Sequence, residues 1–234
     1  MTAETTAPPL PPPDPASCAV ALDTDDLDRA LGLARVLRPW FGIAKVGLEL
    51  FGAVGPVAVP ALRDEGFEVF VDLKLHDIPN TVARAAGALA GLGARYVTLH
   101  AAGGADMLRA GVDGLAGAPR SAGSEPPLAL AITVLTSDSV ADREVLAGRA
   151  RLASAAGCGG LVCAAPDLPA IRAAAPDLLR VVPGIRPRGA AADDQARVAT
   201  PAGAVAAGAD ILVIGRPVTA AADPAAAASA LLAT

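Results

Sequence analysis

Lysine is nearly missing from this chain: of 19 basic residues only Lys45 and Lys74 are Lys, and the rest are Arg. Aromatic residues make up 3% of 234 positions, and the formal charge is −5. An acidic chain so poor in rings lacks the basic stripes and stacking platforms of nucleic-acid binding, so no nucleic-acid partner is expected. The longest run without a charge, Leu152 to Pro166, falls short of the roughly 18 residues that cross a bilayer, so no membrane partner is expected either. No Lys or Arg precedes Arg29, which removes the basic start of a secretory signal. Three cysteines, Cys18, Cys158 and Cys163, form an odd set that fits reduced thiols better than a disulfide framework. The two histidines and scattered cysteines show no His-x-x-x-His or Cys-x-x-Cys spacing, so no metal site is expected, although carboxylates are able to hold Mg²⁺. A soluble cytoplasmic protein is the expectation.

What is present is apolar. Hydrophobic residues reach 53% against 18% charged, too apolar for a disordered chain. The richness in Ala, Pro and Gly matches GC-biased coding, which tends to replace Lys by Arg wherever either serves. Guanidinium stays protonated above about pH 12, whereas a compact ammonium titrates. The two surviving lysines are therefore candidates for proton chemistry. Both stand in strand-like apolar runs, Ile43-Ala44-Lys45-Val46 and Val69-Phe70-Val71-Asp72-Leu73-Lys74-Leu75, not among the polar helical neighbours of surface lysines. Buried ionisable groups gather at functional sites.

Six prolines lie between Pro8 and Pro15, so residues 1–16 are read as a disordered, Pro-rich tail and 17–234 as one domain. From Cys18 onward short apolar runs alternate with Ala/Leu-rich segments, the signature of βαβ units and a parallel sheet. Eight strands are predicted near 18–23, 42–46, 68–74, 95–100, 128–135, 159–163, 179–182 and 210–214. Leu27, Ala30, Leu31, Ala34 and Leu37 give the first helix an apolar face, and Val82, Ala85, Ala86, Leu89 and Leu92 do so after the third strand. Gly66, Gly93, Gly157 and Gly208 follow helices where a left-handed cap is needed. Eight such repeats predict a single-domain α/β fold, the TIM (β/α)8 barrel. A doubly wound sheet is the alternative, but Asp23-Thr24-Asp25-Asp26 stands where its Gly-x-Gly-x-x-Gly turn belongs.

A barrel carries its active site at the C-terminal strand ends. Those ends are Asp23, Lys45, Asp72 with Lys74, His100, Thr136, Pro183-Gly184-Ile185-Arg186 and Gly215-Arg216. Asp72 and Lys74 are two apart, so they leave one strand face about 6–7 Å from each other. Val69, Val71, Leu73 and Leu75 take the other face. A carboxylate and an ammonium inside a barrel must neutralise one another or be used, because an unpaired buried charge costs several kcal/mol. An ion pair without chemistry is the plainer alternative. Asp77, before Ile78-Pro79-Asn80-Thr81, reads by itself as a helix N-cap. His76 and His100 receive no role. Pro183-Gly184-Ile185-Arg186-Pro187-Arg188-Gly189 and Gly215-Arg216-Pro217 combine close backbone approach with guanidinium charge, as a phosphate corner requires. Gln195 adds a neutral donor, and the segment 184–196 is long enough to act as a lid.

Six stretches together resemble the orotidine 5′-phosphate decarboxylases, the last enzymes of UMP synthesis. They are Val20-Ala21-Leu22-Asp23, Lys45-Val46-Gly47, Asp72-Leu73-Lys74-Leu75-His76-Asp77-Ile78-Pro79-Asn80-Thr81, Val134-Leu135-Thr136-Ser137, Pro183-Gly184-Ile185-Arg186-Pro187 and Val213-Ile214-Gly215-Arg216-Pro217. The resemblance spans about 18–232, and its Asp-x-Lys-x-x-Asp-Ile-Pro-x-Thr string is the specific part. It implies that Asp23 and Lys45 hold the ribose and order the charges. It also implies that Asp72 lies near the substrate carboxylate and that Lys74 delivers the proton replacing CO₂. By the same resemblance Asp77, Ile78 and Thr81 enter the neighbouring subunit's site in a homodimer. Thr136 would meet the pyrimidine, and Arg186, Gln195, Gly215 and Arg216 would surround ribose and phosphate. No metal or organic cofactor is implied. Two rival readings remain. One is a Mg²⁺-dependent keto-gulonate-phosphate-type decarboxylase, which shares the Asp-x-Lys strand but places an acidic metal ligand near Lys45. The other is a barrel that only binds a nucleotide, which would have no reason to keep Lys45, Asp72, Lys74 and Asp77 together.

Overall fold

Each of the eight apolar runs forms a strand: β1 (Cys18–Ala21), β2 (Ile43–Val46), β3 (Glu68–Leu75), β4 (Tyr96–His100), β5 (Leu128–Ile132), β6 (Gly160–Val162), β7 (Leu179–Val182) and β8 (Ile211–Ile214). Neighbours pair in parallel in chain order, and β8 returns to β1, so the sheet closes into the expected barrel. The computed structural model describes residues 13–118, 125–134, 142–187 and 197–233. Most of the expected tail, residues 1–12, therefore lies outside the described residues. Its last residues are folded: Pro15–Ser17 form a 3-10 turn capped by Asp14, and the Gly42 N–H donates to the Pro15 carbonyl at 2.7 Å.

The helices are α1 (Leu27–Leu37), α2 (Leu48–Val54), α3 (Ala58–Asp64), α4 (Pro79–Gly91), α5 (Gly104–Gly117), α6 (Arg143–Ala155), α7 (Leu168–Ala174), α8 (Pro201–Ala207), α9 (Arg216–Thr219) and α10 (Pro224–Leu232). Their starts follow local chemistry. Asp26 accepts from the Arg29 N–H at 3.0 Å, Thr200 from Gly203 at 3.1 Å and Asp223 from Ala226 at 3.0 Å, each satisfying a donor the first turn leaves open. The four glycines expected to end helices all have positive φ, between 83° and 101°. Ala30, Ala34 and Leu37 bury the inner face of α1, and Val82, Ala86 and Leu89 that of α4.

Parallel strands here are covered on both faces, which is why the strand runs read as continuous apolar segments without alternation. Val20, Ala44, Val69, Val71 and Val97 face the helices in the main core. Ala19, Ile43, Phe70, Tyr96, Leu130, Val181, Ile211 and Val213 fill the barrel interior as a separate apolar plug. Two residues beyond Ile43, Phe70 and Tyr96, on the same inward parity, stand Lys45, Asp72 and Thr98. A polar layer thus sits on an apolar floor, and it opens toward the C-terminal strand ends.

All three cysteines are free and buried. Burial pushes each thiol up to about 12, so they pack as small hydrophobic groups rather than react. Among the described residues no helix is long and apolar enough to cross a membrane.

Candidate active site

A cavity of about 590 Å³ opens at the C-terminal end of the barrel. Its charged wall is a chain of alternating sign. Asp23 Oδ1 lies 3.1 Å from Lys45 Nζ, which lies 3.7 Å from Asp72 Oδ2, which in turn lies 3.0 Å from Lys74 Nζ. The inner members are the most enclosed: the side chains of Lys45 and Asp72 are 11% and 14% exposed, against 33% for Lys74 and 52% for Asp23. Formal charge cancels across the four groups, which resolves the burial problem posed by the sequence. Gly47 is part of the construction. A Cβ there would stand 3.0 Å from both Asp23 Oδ1 and Lys45 Nζ, so a larger residue would have to push the ion pair aside by a few tenths of an ångström.

Lys74 reaches the cavity through an irregular backbone. Val71 pairs with Val97 and Leu75 with Leu99, so Asp72, Leu73 and Lys74 of β3 lie opposite the one residue Thr98 of β4. Lys74 has φ of 53°, the only positive value at a non-glycine position among the described residues. Such a conformation costs on the order of 1–3 kcal/mol and persists where the surroundings hold it. The Lys74 N–H donates to Thr98 Oγ1 at 2.8 Å, and that hydroxyl donates to Asp72 Oδ1 at 3.1 Å. The expectation that Asp72 and Lys74 share a face therefore holds, but through a bulge and not through regular alternation.

Apolar side chains also line the cavity: Phe70 of β3, Ile132 and Val134 at the end of β5, Val162 of β6 and Val213 of β8. Pro183, Gly184, Arg186, Gly215 and Arg216, the residues expected at an anion corner, line the same cavity. Arg186 is 7% exposed, and its N–H donates to the Ala199 carbonyl at 2.9 Å. That returning strand is fastened by Arg197, whose Nη1 meets Asp167 Oδ2 at 2.6 Å with both side chains about nine-tenths buried.

Asp77, Ile78 and Thr81 do not join the cavity of their own chain. All three are exposed, Ile78 at 66%, and none lines the pocket. Asp77 is not the N-cap of α4. That position belongs to Ile78, with Pro79 opening the helix, and the Asp77 carboxylate accepts the Ile78 N–H at 2.7 Å. Thr136, Gln195 and Arg188 lie outside the described residues, as does most of the expected lid at 184–196. His76 and His100 stack with ring centroids 5.1 Å apart. Burial, then the neighbouring His76, Arg149 and Lys74, hold His100 below the usual imidazole range. Among the described residues no group of three or more His, Cys, Asp or Glu is arranged to hold a metal ion.

Sequence reasoning missed Thr98, Gly47 and the apolar lining. Thr98 carries the inward parity of Tyr96 and His100, which was a usable signal; Gly47 gains its meaning only once Asp23 and Lys45 are seen in contact.

Comparison with known proteins agrees with this geometry. Residues 18–231 match the family described as "Orotidine 5'-phosphate decarboxylase / HUMPS family". A protein of Anaeromyxobacter sp. (strain K) named orotidine 5′-phosphate decarboxylase is 53% identical over 227 residues, covering 92% of this chain and 96% of the relative. One from Thermobifida fusca with the same name is 48% identical over 230 residues, covering 93% and 95%. Among solved structures, orotidine 5′-phosphate decarboxylase from Lactobacillus acidophilus superposes with a TM-score of 0.77 at 37% identity, covering 92% of this chain and 96% of that one. The family match spans the whole barrel and the relatives cover more than nine-tenths of the chain, so the chain belongs to the orotidine 5′-phosphate decarboxylase / HUMPS family.

Proposed function

We propose that this protein decarboxylates orotidine 5′-phosphate to UMP and CO₂, using its own side chains and no cofactor. The observation that carries this reading is the Asp23–Lys45–Asp72–Lys74 chain sharing one cavity with Arg186, Gly215 and Arg216. Those last three residues suit a phosphate, and the charge chain suits the reacting carbon.

Losing CO₂ from C6 of orotate leaves an electron pair in the plane of the ring, outside its π system. No ordinary electron sink is available, so the barrier must fall through electrostatics and positioning. The C6–carboxylate bond breaks, its electron pair stays on C6, and a proton from Lys74 Nζ then forms the new C6–H bond. The ammonium stabilises the developing carbanion before it gives up that proton. Asp72 adds repulsion toward the substrate carboxylate that vanishes as neutral CO₂ departs. Two unit charges at 4 Å and an effective dielectric of about 20 interact by about 4 kcal/mol, a useful but insufficient part of an enzymatic barrier reduction. Transition-state stabilisation takes the larger share. Phosphate contacts remote from C6 supply binding energy for desolvation and closure.

Asp77, Ile78 and Thr81 serve the site of a second copy in a homodimer. Their exposure on the β3–α4 connection, away from their own cavity, supports this. The exposed Ile78 side chain supplies apolar surface that such an interface would bury.

The decisive assay follows the loss of orotidine 5′-phosphate ultraviolet absorbance with purified protein, before and after exhaustive EDTA treatment. Turnover unchanged by EDTA is expected. No turnover would leave both alternatives, and CO₂ release from a keto-gulonate phosphate that EDTA abolishes and Mg²⁺ restores would then favour the metal-dependent one. Lys45 argues against the latter already, since it puts an ammonium between two carboxylates where a metal ligand would be required.

A further inference from the structure

The hydroxyl of Thr98 joins two groups that the proposed chemistry needs in fixed places. Thr98 is wholly buried, and it is the one β4 residue opposite the three bulged residues of β3. In a regular ladder the Lys74 N–H would meet a backbone carbonyl of a neighbouring strand. The bulge and the left-handed φ of 53° turn that N–H toward a side chain instead, and Thr98 Oγ1 receives it at 2.8 Å. A hydroxyl has one proton to give, and here it goes to Asp72 Oδ1 at 3.1 Å. Asp72 Oδ2 is thereby left to face Lys74 Nζ at 3.0 Å and Lys45 Nζ at 3.7 Å.

We infer that Thr98 is a positioning residue: one hydroxyl locks the strained backbone of Lys74 and the carboxylate of Asp72 into a single unit. The catalytic side of this inference rests on the decarboxylase reading; the structural side does not. The direction of the two bonds is forced. A carboxylate between two ammonium groups is an acceptor, so the hydroxyl proton points to Asp72, and the oxygen lone pair is free only for the Lys74 N–H. The β-branched side chain limits χ1 and so fixes where that oxygen stands. Removing the hydroxyl leaves one buried donor and one carboxylate lone pair without a partner, at the point where the backbone is least able to hold itself.

Thr98→Val keeps the shape and deletes the hydroxyl, whereas Thr98→Ser keeps the hydroxyl and deletes the methyl. For Thr98→Val, kcat is expected to fall about 10- to 100-fold while KM moves less than about threefold, because Arg186, Gly215 and Arg216 are untouched. Thr98→Ser should stay within about threefold of the parent protein in kcat. Independently of turnover, the Lys74 amide followed by NMR hydrogen exchange should exchange at least about tenfold faster in Thr98→Val than in the parent or Thr98→Ser. Equal Lys74 exchange in all three proteins overturns the inference. So does a Thr98→Val enzyme with parental kcat, or an equal loss in both variants. If the parent itself fails to decarboxylate orotidine 5′-phosphate, the proposed function falls, and the exchange comparison still decides whether Thr98 holds Lys74.

Discussion

At the scale of single residues, Lys74 has to satisfy two demands that oppose each other. It must carry a compact titratable charge into a cavity, and it must do so from a left-handed backbone that glycine adopts at far lower cost. Glycine would relieve the strain and remove the proton donor. Arginine would keep the charge and lose both the size and the acidity, because guanidinium releases its proton only at very high pH. Lys74→Arg is therefore expected to fold with an unchanged melting temperature to within about 2 °C and to lose turnover by at least about 1,000-fold. The absorbance assay with a thermal melt checks both, and substantial turnover in this variant would contradict the assigned role. Lys45 and Asp72 were legible in the sequence because each follows an inward-facing apolar residue by two positions, Ile43 and Phe70. The backbone of Lys74 was not, since sequence marks positive φ by glycine, and none stands there.

At the scale of elements, the eight strands were legible because burial on both faces leaves each as an apolar run between helical segments. The bulge between Val71 and Leu75 was not, because register belongs to a pair of strands and no single strand's pattern encodes it. The same limit applies to the exit of β4. There His100 is the N-cap of the 3-10 turn Ala101–Gly103, and its Nδ1 accepts the Ala102 N–H at 3.2 Å. Acceptance needs a neutral ring. Burial, with the positive Arg149 and Lys74 and the ring of His76 nearby, lowers the pKa of the folded-state imidazole. The unfolded chain therefore binds the proton more readily. Stability is fully present above the ordinary imidazole value and declines as pH falls below about 6.5. Urea midpoints should drop between pH 7.5 and pH 5.5. His100→Asn, which keeps an acceptor but does not titrate, should show a smaller drop; an equal drop in both proteins would remove His100 as a source of the pH dependence.

At the scale of the whole molecule, one chain brings Asp23, Lys45, Asp72 and Lys74 into one cavity with Arg186, Gly215 and Arg216 but keeps Asp77, Ile78 and Thr81 outside it. Asp77 follows Lys74 by only three residues, yet there the chain is already turning into α4 and the Asp77 side chain is exposed outside the cavity. By itself Asp77 reads as a helix N-cap, and only the family resemblance assigns it to a neighbouring subunit's site; in the fold it is neither the cap nor part of its own chain's cavity. A symmetric dimer that presents this turn to the partner's cavity would restore the grouping twice, once per copy. Complementation tests it directly. Lys74→Ala and Asp77→Ala proteins should each be inactive alone. Unfolded together and refolded at equal concentration, they should form hybrids in which one mouth carries both lesions and the other carries neither. Random reassortment predicts recovery of about a quarter of the parental rate. Mass spectrometry under native conditions confirms that hybrids form, and hybrids without recovered turnover would mean that Asp77 acts within its own subunit or not at all.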